Sequence, residues 1–421
     1  LGDRFCLGFF GDPMQRIYLT GIGTISAEAG WANITKPENF RCPASVLAVA
    51  NAIRRDGDPV VQTRGRMTGP EGAQVSVLGS ANICILPADD RRDQRIAQVR
   101  AWAAERTDDP AWKTDRGVDA VKLLVIVHRM AAKRLGFGDL YSALNDKAPD
   151  KFKNGFLDGT AWPVRPFNGF VLPLVDAAKN GREFEVMQFL RTQSPLLERK
   201  NLIGVNVASR LADLRRFTET LQQMMEPGSR ATNADVLRLL HDSKVIPLDP
   251  RILSYLQLPP QNDAERGEKP VAAKEEDDGE ELTKEIAAME AFLALPSAQF
   301  WGYYDYVNDD STFSTQQGIK GAEFERVLVL DDDEGTHVQF SYDKYLGIKP
   351  LSDRDEANRR EGKETTVERT RRLFYVCCTR AMKDLIVVLF TGDIAGARRQ
   401  ITSLGLFPEE SIHLENAISN L

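Results

Sequence analysis

The stretch VKLLVIV at Val121–Val127 sets six branched aliphatic residues around a single lysine. A run that short and that apolar reads as a strand covered on both faces, the pattern of a parallel sheet. Arg326–Leu330 (RVLVL) and Asp384–Phe390 (DLIVVLF) repeat it, and Phe5–Phe10, Val75–Leu78 and Cys84–Leu86 are weaker strand candidates. Between them the apolar spacing turns helical. Pro43–Ile53 carries Val46, Val49, Ala50 and Ile53 on one face, Asp89–Arg106 is charged and amphipathic, and Met130–Leu144 follows. Alternating strands and helices imply a doubly wound α/β domain.

The alternation breaks near Asn145–Lys151. From Phe152 to about Leu295 helical spacing dominates, as in Phe184–Arg191, Ile203–Met225 and Asn233–His241. Within this region 262–281 is acidic and poor in large apolar residues, the composition of a mobile loop. Strand signals resume at Arg326. The α/β domain is therefore expected to be discontinuous, with a helical region inserted into it.

A net charge of −7 over 421 residues argues against binding nucleic acid by bulk charge, and leaves a locally basic groove open. No apolar run reaches membrane-spanning length. Cys6, Cys42, Cys84, Cys377 and Cys378 form no CxxC pair, and the four histidines show no pairing, so no metal-binding side chain is assigned. Cys377–Cys378 falls in an apolar run read as a strand, where the two thiols face opposite ways. Unpaired thiols of this kind suit a reducing cytoplasm.

Four segments carry chemistry. In GDPMQRIY (Gly11–Tyr18), Gln15 offers a neutral amide suited to a terminal phosphate or its attacking water, and Asp12 could hold the loop or reach a metal-bound water. In ENFRCPASVLAVAN (Glu38–Asn51), Arg41 stands at a helix entrance with a planar fork matched to phosphate oxygens. In STQQGIKGAEF (Ser314–Phe324), Gly318 and Gly321 permit close backbone approach beside Lys320. In RRLFYVCCTRA (Arg371–Ala381), Arg380 follows an apolar run. Read alone, the first three segments also have a plainer explanation, respectively a turn with a core tyrosine, a surface arginine, and a glycine turn before a strand.

Taken together, in this order, the four segments resemble the later motifs of superfamily 1 helicases of the UvrD/Rep type. The resemblance implies a RecA-like second lobe with a large helical insertion. It divides the chain into 1–36 as the tail of a first lobe, 37–148 and 311–402 as the second lobe, 149–310 as the insertion and 403–421 as a tail. It implies ATP bound with Mg2+, and Gln15, Arg41, Glu323 and Arg380 reading the nucleotide, Arg380 as the finger that stabilises charge in phosphoryl transfer. Tyr18, Gln317 and Lys320 would contact single-stranded and duplex DNA. Tyr375 matches a motif aromatic, and Arg129 loosely matches a further arginine. Two departures stand out: Thr20 lies where the family has tryptophan, and Gln317 where it has histidine. No GxxxxGK[ST] loop occurs. The resemblance therefore implies that the nucleotide cradle and magnesium ligands lie in an N-terminal RecA-like lobe, supplied in cis or in trans, with a nuclease or repair protein as a further partner. The alternative from another class is a non-catalytic DNA- or protein-binding module complementing a separate ATPase or nuclease.

Overall fold

The computed structural model describes residues 7–17, 30–70, 73–115, 117, 120–126, 128–146, 148–157, 159–259, 278–308, 311–315, 319–333 and 340–419. They divide into two compact units, Leu1–Ala131 with Ser311–Leu421, and Ala132–Asp310.

The first unit is an α/β fold of the RecA-like kind, built on a six-stranded sheet. Its strands are β1 (Ser80–Pro87), β2 (Lys122–Val125), β3 (Phe313–Thr315), β4 (Phe324–Asp331), β5 (Ala381–Thr391) and β6 (Ile412–Leu414). They lie in the order β6-β1-β5-β4-β2-β3. Every pairing is parallel. The principal helices of this unit are α1 (Ala44–Arg54), α2 (Arg92–Arg106), α3 (Thr366–Cys378) and α4 (Ile394–Leu404).

The apolar runs explain the sheet. Ile83, Ile85, Val327, Val329, Leu385, Val387 and Leu389 share one core with Val46, Val49 and Ile53 of α1, Leu373, Phe374 and Cys377 of α3, and Ile401 of α4. Alternate residues Cys84, Leu86, Leu328, Leu330 and Val388 point the other way and are equally buried, so both faces are covered. Each such side chain contributes about 1.5–3 kcal/mol when fully buried.

The second unit is helical. It contains Asp150–Phe156, Leu172–Lys179, Glu183–Gln193, Val207–Met224, Asn233–Ser243, Pro250–Leu256, Asp278–Ala294 and Phe300–Val307. Its core is aromatic: Phe167 stacks on Phe300 at 4.0 Å between ring centroids and Phe156 on Tyr303 at 4.6 Å. Of the acidic loop expected over 262–281, residues 262–277 lie outside the described residues, and 278–281 begin the helix Asp278–Ala294.

Two local expectations are corrected, and that of a strand at Val75–Leu78 holds only for its first two residues. Leu7–Phe10, the described part of the strand expected at Phe5–Phe10, is irregular and exposed, with Phe9 stacked on Trp31. Val75–Ser76 pairs antiparallel with Met67–Thr68 outside the main sheet. Cys377 and Cys378 end helix α3 rather than lying in a strand. A capping box between Thr365 and Glu368 starts that helix. Its last six residues are apolar all round because the core encloses them.

One buried ionic link ties the loop after α2 to the sheet. Asp109 receives Arg326 Nε at 2.8 Å and Lys383 Nζ at 2.7 Å, from the start of β4 and β5. Burial alone would raise the Asp109 carboxyl, but the bonds from Lys383 and Arg326 prevail and its pKa is lowered. A carboxyl lowered on folding stabilises the fold above its unfolded pKa of about 3.9, and that contribution is lost as pH falls through the folded value. Asp109→Asn should cost about 3–5 kcal/mol at neutral pH, because a buried guanidinium loses its carboxylate. Chemical denaturation should show this deficit shrinking as pH is lowered below about 4; a constant deficit would mean the pair is not its source.

Candidate functional site

The site forms at the edge of the sheet where β4 and β5 begin. Helix α3 ends at Cys378 and β5 begins at Ala381, so only Thr379 and Arg380 join them. The main chain fixes the joint: Phe324 N donates to Arg380 O at 2.9 Å, and Phe324 pairs with Ala381. Arg380 is thus held by the pairing of two central strands and is 2% exposed. Its guanidinium donates from Nε to Val376 O (2.9 Å), from Nη1 to Ala322 O (3.0 Å) and from Nη2 to Thr379 Oγ1 (3.2 Å).

Arg41 comes from the other side of the joint. The Asn39 side-chain oxygen accepts from Arg41 N at 3.0 Å and Cys42 N at 2.8 Å, an Asx turn that sets the loop before α1. The Arg41 side chain then reaches Glu323 Oε2 from Nε at 2.6 Å and Thr379 O from Nη1 at 3.4 Å. Arg41, Glu323 and Arg380 are therefore gathered around Thr379. Cys42 sits beneath them, its thiol directed at Thr379 O and its pKa pushed up by burial.

The charges do not balance. Among the described residues, Glu323 is the carboxylate of this group, it faces Arg41, and it is exposed. Burial lowers the pKa of Arg380, and the neighbouring Arg41 lowers it further. An arginine nevertheless stays charged. A guanidinium whose charge is disfavoured by burial and by a neighbouring guanidinium is relieved by an incoming anion, which is the electrostatic condition for binding phosphate.

Gln15 belongs to a neighbouring network. It lies in the short turn Pro13–Gln15, which Asp12 caps by accepting from Met14 N at 3.0 Å. Gln15 Nε2 also donates to Asp12 Oδ2 at 3.2 Å. Of the two roles open to Asp12, the structure displays the loop-holding one. Its carboxylate is paired with Arg54 of α1, which also reaches Tyr375 of α3. The Tyr375 phenol is buried and pushed up to about 12, first by burial and then by the Asp12 carboxylate. The two networks are thus linked through α3, one at Tyr375 and the other at Thr379–Arg380 just beyond its end.

Lys320 is exposed in a turn whose Gly321 has φ +95°, a conformation that favours glycine. Tyr18 and Gln317 lie outside the described residues. His128 is brought down to about 4 by burial, so its imidazole is neutral at pH 7. The sequence reading missed Arg54 altogether. Its one local sign is the i,i+4 spacing to Asp58, with which it also pairs.

The chain is thus an α/β protein whose first unit gathers Arg41, Glu323 and Arg380 at one sheet edge. No family model matches the chain. The chain is similar to Gabija protein GajB of Bacillus cereus (strain HuB5-5), at 21% identity over 440 residues that take in 96% of this chain. It spans 56% of that relative's length.

Because Glu323 opposes the anion, Glu323→Gln should tighten pyrophosphate binding about threefold, the scale of a partly exposed ion pair. Isothermal titration calorimetry at low salt would measure it. Weaker binding in the variant would remove Glu323 from the role of competing carboxylate.

Proposed function

We propose that this chain is the phosphate-reading part of an ATP-dependent DNA helicase or translocase of the UvrD/Rep type. The observation that carries the reading is the convergence of Arg41 and Arg380 at one sheet edge where, among the described residues, the exposed Glu323 paired with Arg41 is the carboxylate of the group. Their surplus positive charge suits the terminal phosphates of ATP. Glu323 would meet the ribose once Arg41 turns to phosphate, and Gln15 would orient the attacking water. Lys320, Gln317 and Tyr18 would follow the DNA strand, stacking on Tyr18 being worth about 1–3 kcal/mol per base.

ATP supplies the phosphoanhydride whose cleavage drives movement, and the residues here neutralise, orient and sense its phosphates. Among the described residues no group of three His, Cys, Asp or Glu side chains could hold a metal ion. On the UvrD/Rep-type reading the Mg2+ ligands are assigned to the lobe with the phosphate loop, in cis or in trans. The similarity to Gabija protein GajB supports a role in a Gabija-type system, with a nuclease or repair protein as the natural kind of partner.

One observation favours the second reading, a non-catalytic DNA- or protein-binding module serving a separate ATPase or nuclease. Arg380 is engaged with carbonyls and a hydroxyl of its own neighbourhood, as a purely structural arginine would be. The two readings separate on one measurement. In the complete protein, Arg380→Ala should reduce DNA-stimulated ATP turnover by roughly 10³-fold or more. Its thermal unfolding should be compared alongside, since three hydrogen bonds are lost. Turnover that persists in a folded variant selects the second reading.

A further inference from the structure

We propose that Arg54 is a positioning residue that holds the Gln15 segment in register with α3, the helix that leads into Arg380. The inference rests on the functional reading just given and adds a residue to it.

A guanidinium has five N–H groups, and all five of Arg54 are engaged. Nε donates to Asp58 Oδ1 at 3.0 Å. Nη1 donates to Asp12 Oδ2 at 3.0 Å and to Tyr375 Oη at 2.8 Å. Nη2 donates to Asp12 Oδ1 at 3.2 Å and to Asp58 Oδ2. The guanidinium carbon also lies 5.0 Å from the centre of the Tyr375 ring. The side chain is 4% exposed. No donor is left for a ligand, so Arg54 cannot act on substrate directly.

What it can do is fix distances. Asp12 is held by both of its oxygens, and the same two oxygens hold Met14 N and Gln15 Nε2. Tyr375 lies on α3, whose end carries Arg380, and its hydroxyl also accepts from Gln62 Nε2 at 2.8 Å. A second tie runs parallel to the first. Arg372 of α3 donates to Arg16 O at 2.8 Å, and Glu364 pairs with both Arg16 and Arg372. The segment from Asp12 to Arg16 is thus tied to α3 at two places, with Gln15 between them.

A buried ion pair returns little net stability compared with an apolar replacement. Its distinctive yield is geometry, and a lysine cannot reproduce it. An ammonium is a point charge with three donors and cannot serve two carboxylates and a phenol in one plane.

The test uses the complete protein and its DNA-stimulated ATP turnover. Tyr375→Phe removes two hydrogen bonds, those from Arg54 and Gln62, and keeps the buried ring, so it should fold. We expect kcat to fall about tenfold with KM for ATP changed less than about threefold, the signature of lost alignment rather than lost binding. Amide exchange at Met14 and Ile17 should quicken while exchange across Leu385–Leu389 stays slow. Arg54→Lys should lose more, and should add nothing to the loss already caused by Gln15→Ala, because the first acts through the second. Unchanged kcat in Tyr375→Phe, or losses from Arg54→Lys and Gln15→Ala that multiply, would overturn the proposal. A wild-type protein without ATP turnover overturns the functional reading instead, and exchange at Met14 and Ile17 then decides by itself whether Arg54 orders the segment.

Discussion

The parallel pairing of β4 with β5 is the constraint on which the rest depends. Its register sets Phe324 opposite Ala381 and brings Phe324 N onto Arg380 O. That single bond fixes the residue between a helix and a strand, and every partner of Arg380 follows from it. Val376 O is one turn back on α3, Thr379 is adjacent, and Ala322 O precedes β4. The loop before α1 then closes on Thr379 O through Arg41 and Cys42. A slip in that register would move Glu323 and Arg380 apart and scatter the group.

Two of the unit's buried arginines, Arg54 and Arg380, have opposite electrostatics. Arg54 is surrounded by two carboxylates and a phenol, and its charge is more than compensated. Burial works against that charge, and the Asp12 and Asp58 carboxylates outweigh it, so its pKa rises. Arg380 is met by carbonyls and a hydroxyl, with no carboxylate among the described residues, and its pKa is lowered. Arg54 is a completed joint, whereas Arg380 retains attraction for charge that arrives from outside. Among the described residues the helical unit has no buried arginine, and its interior is organised by stacked and edge-on aromatic rings.

The central strands were legible in the sequence because VKLLVIV, RVLVL and DLIVVLF are dense in branched aliphatics and need cover on both faces. The same apolar character misled at Phe5–Phe10, where Leu7–Phe10 pair with nothing among the described residues. It misled again at Cys377–Cys378. A short apolar run fits a buried strand or a buried helix end, and the deciding capping box lies a dozen residues upstream at Thr365. The edge strand Ile412–Leu414 is three residues long and is defined by its partner β1 rather than by its own pattern. Arg41, Glu323 and Arg380 were picked out from their motifs, but their meeting at Thr379 is tertiary. Arg54 gave almost no sign, since its partners Asp12 and Tyr375 are 42 and 321 residues away in the chain.

Arg380 stands at the carbonyl end of α3, and two of its three bonds go to main-chain oxygens. The aligned peptides of a helix leave about half a negative charge at that end, where anions are repelled. Phosphate sites more often use the opposite end, where amide groups converge. At this sheet edge the helix therefore weakens the arginine's attraction for anions, about half a negative charge standing against one full positive charge. On the reading proposed here, such an arginine acts as a sensor. It responds when a nucleotide already gripped elsewhere brings its outermost charge within reach, and that dependence would couple one half of the motor to the other.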